Sequence, residues 1–269
     1  LTEAEPEDPL AGYLPVAEAI GRRLAQLHLV LARPSDDPDF APVPLDAAMG
    51  RGFAAEAATS LDRALGRLDR PGLLPPGPAA DAARRLVADR ARLVEAIRAL
   101  APDPAGLLAT RCHGDFHLGQ VLVATGDAVI LDFEGEPARP LAARRAKSSP
   151  WRDVAGLLRS LDYAAAVAAA TEESGTATAA SSTRRAALIT RWRSAAEAAF
   201  LAAYRATWAA EAGAAPAGAA TLLDLFLVEK AAYEVGYELA NRPAWLPVPV
   251  LGLAAVLDRL VPPMEDLQP

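Results

Sequence analysis

Two short segments constrain this chain more than anything else in it. Residues 111–120 read Arg-Cys-His-Gly-Asp-Phe-His-Leu-Gly-Gln, and residues 129–137 read Val-Ile-Leu-Asp-Phe-Glu-Gly-Glu-Pro. The apolar run Val129-Ile130-Leu131 predicts a buried strand that delivers Asp132 at its end. Two strands, 121–124 and 128–133, with Gly126-Asp127 as the turn, make a compact hairpin directly after the first segment. The fold must therefore set a loop carrying Asp115 and Gln120 beside a hairpin carrying Asp132.

That order of one acid, one amide and a second acid suits phosphoryl transfer, which asks for positioning and charge neutralisation rather than covalent work. Asp115 is the candidate to accept a hydrogen bond from an attacking hydroxyl. Gln120 and Asp132 are the candidate ligands of a magnesium ion, which takes few carboxylates and completes its shell with phosphate and water. Protein kinases carry H-R-D-x-x-x-x-N and D-F-G at comparable places. Here the pieces are H-G-D-F-H-L-G-Q and D-F-E-G, the pattern of small-molecule kinases. His113 is expected to be a buried residue fixing the loop, with Glu134 and Asp153 in supporting places. A zinc site at Cys112, His113 and His117 would need a fourth ligand, and the chain has one cysteine and three histidines.

Composition sets the outer limits. With 269 residues and 52% hydrophobic content the chain can bury a sizeable core. A net charge of −7 argues against a nucleic-acid partner. No apolar run approaches the ~20 residues of a spanning helix and no basic-then-apolar signal pattern opens the sequence, so no membrane partner is expected. A single cysteine permits no disulfide within the chain, and a cytoplasmic location is the simplest expectation.

Helical periodicity predicts a mainly α fold with one short β-hairpin. Residues 1–10 are acidic, broken by proline and read as linker; 11–269 read as one helical lobe carrying the loop 111–120 and the metal hairpin 121–136. Helices are expected over 13–31, 47–68 and 81–100, with a proline-rich loop at 32–44. Residues 137–149 are rich in arginine and read as irregular. Ser149-Pro150 should start an amphipathic helix, the serine capping it, with Asp153 in its first turn ordering the loop or complementing the helix dipole. Residues 171–183 read as polar and flexible. Helices over 184–210, 218–241 and 250–260 complete the body.

A kinase-like enzyme also needs a strand-rich lobe whose lysine grips the nucleotide phosphates. The only lysines here, Lys147 and Lys230, follow the motif, and neither a twisted sheet nor a Gly-rich phosphate loop precedes it. The expectation is that the amino-terminal nucleotide-clamping lobe is absent from this chain, which reads as a carboxy-terminal lobe, inactive on its own. A substituting arginine is the weaker alternative.

The run H-G-D-F-H-L-G-Q-V-L, the block D-F-E-G-E-P…S-P-W-R-D-V-A-G and the later E-K-A-A-Y-E-V-G-Y-E-L-A-N-R-P-A-W-L-P-V-P resemble the bacterial maltokinase family, relatives of the aminoglycoside phosphotransferases. The resemblance covers nearly the whole chain, as that family's carboxy-terminal lobe of a protein-kinase-like fold. It implies transfer of the γ-phosphate of ATP to the anomeric hydroxyl of maltose, giving maltose 1-phosphate for α-glucan synthesis. It also implies Asp115 as base, and Gln120 and Asp132 as Mg2+ ligands. Lys230, Tyr233, Glu234 and Tyr237 stand at i, i+3, i+4 and i+7, so one helix face offers a sugar a cation, two aromatics and a carboxylate. Without the resemblance, the same spacing reads as a solvated ion pair with packing tyrosines. Trp245 is expected to pack rather than to hold sugar. Two further readings stay open: a kinase of glucosamine or another amino sugar, and a non-catalytic lobe that binds a sugar or a protein partner. A natural fusion to, or association with, another carbohydrate enzyme is compatible with all three.

Overall fold

The computed structural model describes residues 12–137, 139–170 and 179–262. The linker expected at 1–10 and most of the polar stretch expected at 171–183 lie outside the described residues. Helix α1 (Leu14–Leu31) and α2 (Ala47–Leu68) form where the apolar period placed them. Asp46 caps α2, its side chain accepting from the amide of Met49 at 2.8 Å.

The single helix expected over 81–100 is two helices, α3 (Pro78–Ala88) and α4 (Arg90–Ala99), broken at Asp89 (φ −92°, ψ 8°). The reason is tertiary: α3 packs on α9 (Pro247–Leu260), whereas α4 packs on α2. The bend at Asp89 lets one stretch of chain serve both partners.

The loop expected at 32–44 ends in a two-residue strand, β1 (Val43–Pro44), paired antiparallel with β2 (Leu108–Ala109). The hairpin is β3 (Val121–Ala124) against β4 (Asp127–Ile130). Its turn falls one residue earlier than expected, at Thr125-Gly126, because both residues adopt the left-handed conformation (φ 52° and 76°) that a two-residue hairpin turn demands. Asp127 is thereby a strand residue, paired with Arg23 of α1, and that guanidinium together with the amide of Ala128 draws its carboxyl down to about 2. The strand before Asp132 is shorter than expected and only half buried: Ala128 is 3% exposed and Val129 48%, and beyond the strand Leu131 and Phe133 are 39% and 58% exposed. Leu122, paired with Val129, lies on the same face, and these side chains leave an exposed apolar surface on the hairpin.

The arginine-rich stretch contains a short helix, α5 (Leu141–Arg145). Arg139, just before it, shares the buried carboxylate of Glu229 with Arg152, at 2.9 and 3.0 Å. Two central helices follow from packing. In α6 (Trp151–Ala170) the first turns are buried nearly all round rather than on one face, Asp153 and Arg159 included. Helix α8 (Ala219–Asn241) is enclosed by α2, α6 and α9. Between them in sequence, α7 (Ala179–Ala212) lies along α1 and buries Ala196, Phe200 and Tyr204. By length and composition the segment Pro243–Leu260 meets the minimum for crossing a bilayer, with mean hydropathy 1.3. Its apolar side chains Val250, Leu253, Ala254 and Leu257 are buried, and α9 packs on α3 and α8.

Candidate active site

The loop after β2 is tied to the start of α6 by a reciprocal backbone pair, Thr110 with Ser148, at 2.8 and 2.9 Å. That anchor sets residues 111–120 across the first turn of α6. Asp153, wholly buried there, accepts from the amides of His113 (2.8 Å) and Gly114 (2.9 Å). It also takes a hydrogen bond from His28 of α1, at 3.0 Å. Burial alone would raise its carboxyl, but His28 and the two amides outweigh it and hold the group below its ordinary value. Ser149 closes the same corner, its hydroxyl 3.5 Å from the amide of Trp151.

His113 is buried and joins the loop to the hairpin. Its Nε2–H donates to the carbonyl of Leu131 at 2.7 Å, and its ring lies against Phe116 and Phe133. The amide of Leu131 donates to the carbonyl of Gln120 at 2.9 Å. These contacts bring the side chains of Gln120 and Asp132 together, 3.1 Å apart. Asp132 sits at φ 61°, a left-handed conformation that aspartate tolerates better than most residues and that concentrates at working sites. His117 caps the 3₁₀ turn Leu118–Gln120 by accepting from the amide of Gly119. Burial, with Lys230 and His113 nearby, pulls its imidazole below its ordinary value against the opposing pull of Asp115. Among the described residues no cluster of three or more His, Cys, Asp and Glu is placed to hold a metal.

Asp115 lies on the other side of the loop, at the edge of a cleft of about 510 Å³ between α6 and α8. Lys230 donates to its Oδ1 at 3.3 Å and also reaches Glu136 at 3.5 Å. Tyr233 donates to the other oxygen of Glu136 at 3.3 Å, and its ring stacks on Tyr237, centroids 6.3 Å apart. Burial and the Glu136 carboxylate push the Tyr233 hydroxyl up to about 12. The structure thus gathers Asp115, Lys230, Tyr233, Glu234 and Tyr237 around one cleft. Gln120 and Asp132 form a separate pair on the hairpin side of the same loop.

Two acids sit differently from what spacing suggests. Glu234 is not the solvated partner of Lys230: it is buried, its Oε2 accepting from Arg159 at 2.9 and 2.7 Å. Burial raises its carboxyl despite the pull of Arg159. Glu134 is exposed and faces Arg144 at 3.7 Å; the next acid, Glu136, turns into the cleft instead. Gly135 between them has φ 75°, and that reversal decides which glutamate faces inward.

Sequence reasoning missed Glu136 and the far wall of the cleft. That wall is Tyr163, which donates to Glu238 at 2.9 Å, and Arg242, which pairs with the same carboxylate at 2.6 and 3.0 Å. Trp245 stacks behind Tyr163, centroids 6.5 Å apart, in the packing place expected of it. The signal for the wall was the stretch E-L-A-N-R-P-A-W, directly after Tyr237.

Gly156 of α6 marks where the helix and the loop touch. A Cβ there would overlap the carbonyl oxygen of Phe116, the residue after Asp115. Gly156→Ala is expected to lower stability by about 1–3 kcal/mol and to displace Asp115. Urea unfolding and the crystal structure of the variant check this; an unchanged midpoint with an unmoved loop contradicts it.

The fold is that of a kinase-like phosphotransferase. The pattern of the phosphotransferase enzyme family matches residues 6–135, through the loop and the hairpin acid. Among curated proteins, the glucosamine kinase of Streptacidiphilus jiangxiensis is 32% identical over 158 residues, 57% of this chain and 33% of that protein. The glucosamine kinase of Mycolicibacterium smegmatis (strain ATCC 700084 / mc(2)155) is 44% identical over 75 residues, 28% of this chain and 19% of that protein. Among solved structures, a glucosamine kinase in complex with glucosamine, ADP and inorganic phosphate superposes with TM-score 0.72 at 27% identity, over 94% of this chain and 57% of the other. A second crystal form of glucosamine kinase gives the same TM-score over 55% of its length. The chain therefore spans little more than half of its structural relatives. These relatives are glucosamine kinases, so the comparisons favour the amino-sugar alternative over the maltose reading.

Proposed function

We propose that this chain is the acceptor-binding, helical part of an ATP-dependent kinase of amino sugars, with glucosamine as the acceptor. The observation that carries the proposal is the placement of Asp115 at the edge of an open cleft, with Gln120 of the same loop paired to Asp132 of the hairpin. In this reading Asp115 accepts the proton of a sugar hydroxyl as its oxygen bonds to the γ-phosphorus and the bond to the leaving ADP breaks. Lys230 holds one oxygen of Asp115 and leaves the other for the hydroxyl. Asp132 and the amide oxygen of Gln120 are hard donors that suit Mg2+, whose remaining ligands would be phosphate and water. When bound, the ion would neutralise charge on the phosphates.

The cleft favours an amino sugar on chemical grounds. Tyr233 and Tyr237 offer an apolar wall for a ring face, while Glu136 offers a carboxylate to an ammonium group. We further propose that the nucleotide-clamping lobe lies outside this chain and rests on the apolar hairpin surface around Leu122, Val129 and Phe133. The test is a substrate panel of glucosamine, N-acetylglucosamine, glucose and maltose with ATP and Mg2+, run on the intact enzyme. Glucosamine is expected to lead in kcat/KM, by about 10-fold or more over maltose. A lead for maltose would restore the maltose 1-phosphate reading. Sugar binding by calorimetry with no phosphorylation of any sugar would favour a non-catalytic lobe.

A further inference from the structure

Behind the loop, three helices share one buried polar chain. His28 of α1, Asp153 of α6 and Tyr204 of α7 are 0%, 1% and 1% exposed. His28 Nε2 lies 3.0 Å from Asp153 Oδ2, and its Nδ1 lies 2.9 Å from the Tyr204 hydroxyl. Chemistry assigns the protons. An ionised Asp153 can only accept, so His28 Nε2 carries a hydrogen toward it, and Nδ1 shares a hydrogen bond with the Tyr204 hydroxyl. Burial pushes the Tyr204 hydroxyl well above its ordinary value, so it remains a donor.

The terminal torsion of an aspartate is broad, and two amide contacts from adjacent residues leave it room to rock. A third donor, carried by a different helix, removes that freedom. His28 is this donor, and Tyr204 fixes its ring angle by the 2.9 Å contact at Nδ1; the two rings also meet edge-on, centroids 5.7 Å apart. The consequence reaches the site in one step, because the amides that Asp153 holds belong to His113 and Gly114, and Gly114 (φ 85°) precedes Asp115.

We propose that His28 and Tyr204 are positioning residues for Asp115: they lock Asp153, which locks the loop so that the base faces the cleft. The inference rests on the kinase reading for its catalytic consequence, but not for its structural one. A plain stabilising network would lower global stability without singling out the loop, and this is the distinction to measure.

The variants are Tyr204→Phe, His28→Leu and His28→Gln, the last able to keep a donor toward Asp153. Amide hydrogen exchange on the chain is read at His113 and Gly114 against the core of α8. Tyr204→Phe and His28→Leu should speed exchange at these two amides on the order of 10-fold relative to α8, and His28→Gln should restore most of the protection. In the intact enzyme, the first two variants should lower kcat, by on the order of 100-fold for His28→Leu, with the sugar KM unchanged. Protected His113 and Gly114 amides in Tyr204→Phe would overturn the proposal, and so would a kcat that merely tracks the melting temperature. Should His28→Leu fail to fold, Tyr204→Phe decides alone. Should no sugar be phosphorylated by the wild type, the kinase reading falls while the exchange result still decides the loop-locking claim.

Discussion

Asp115→Asn is expected to remove turnover from the intact enzyme while leaving the fold in place. The amide keeps the size of the side chain but cannot take the hydroxyl proton, and loss of a positioned base lowers rates by about 10²–10⁴-fold. The loop should stay where it is, because Asp153, His113 and the Thr110–Ser148 pair hold it and the Asp115 carboxylate does not. Lys230 loses the charge of one partner but keeps Glu136 at 3.5 Å, so stability should move by no more than about 1 kcal/mol. ADP release and a circular-dichroism melt on one preparation separate the two effects. Turnover within tenfold of wild type would remove Asp115 from the role of base.

Arg159→Leu should cost the fold more stability than either Asp115→Asn or Gly156→Ala. Arg159 is 2% exposed and its guanidinium engages Glu234 and Asp162 together. Removing it leaves the Glu234 carboxylate with little water, while Asp162 keeps Arg193, and breaking a buried pair from one side costs about 3–5 kcal/mol. Because burial already raises the Glu234 carboxyl, protonation of that group should hold the loss toward the lower end. Glu234→Gln strands no charge of its own, leaves Asp162 facing Arg159, and should cost less, about 1–3 kcal/mol. Urea midpoints of the two variants provide the comparison; an Arg159→Leu protein as stable as wild type would mean the pair contributes nothing to the floor of the cleft. If the cleft holds the sugar as proposed, the same pair of variants should change KM only through the shape of the cleft, since the Glu234 carboxylate is committed to Arg159.

Legibility in the sequence followed the range of the physical signal. Helices α1 and α2 declare themselves through apolar residues one turn apart and, for α2, through the capping Asp46, all within a few residues. The hairpin and the order of Asp115, Gln120 and Asp132 are equally local. The break at Asp89 was not legible, because no proline or glycine marks it and only the separate partners of α3 and α4 require it. Nor was the choice between Glu134 and Glu136: both sit in one acidic run, and a backbone reversal at Gly135 sorts them.

The sequence by itself determined a helical chain, a hairpin, and three oxygen-bearing residues in the order that suits transfer of a phosphoryl group. Only the tertiary structure decided what each charge answers to. Arg159 meets Glu234 across 75 residues, His28 meets Asp153 across 125, and Tyr204 meets His28 across 176. Local propensity ends within a turn or two of helix, whereas a buried ionic or hydrogen-bonding group takes whichever partner the packing of distant helices brings beside it.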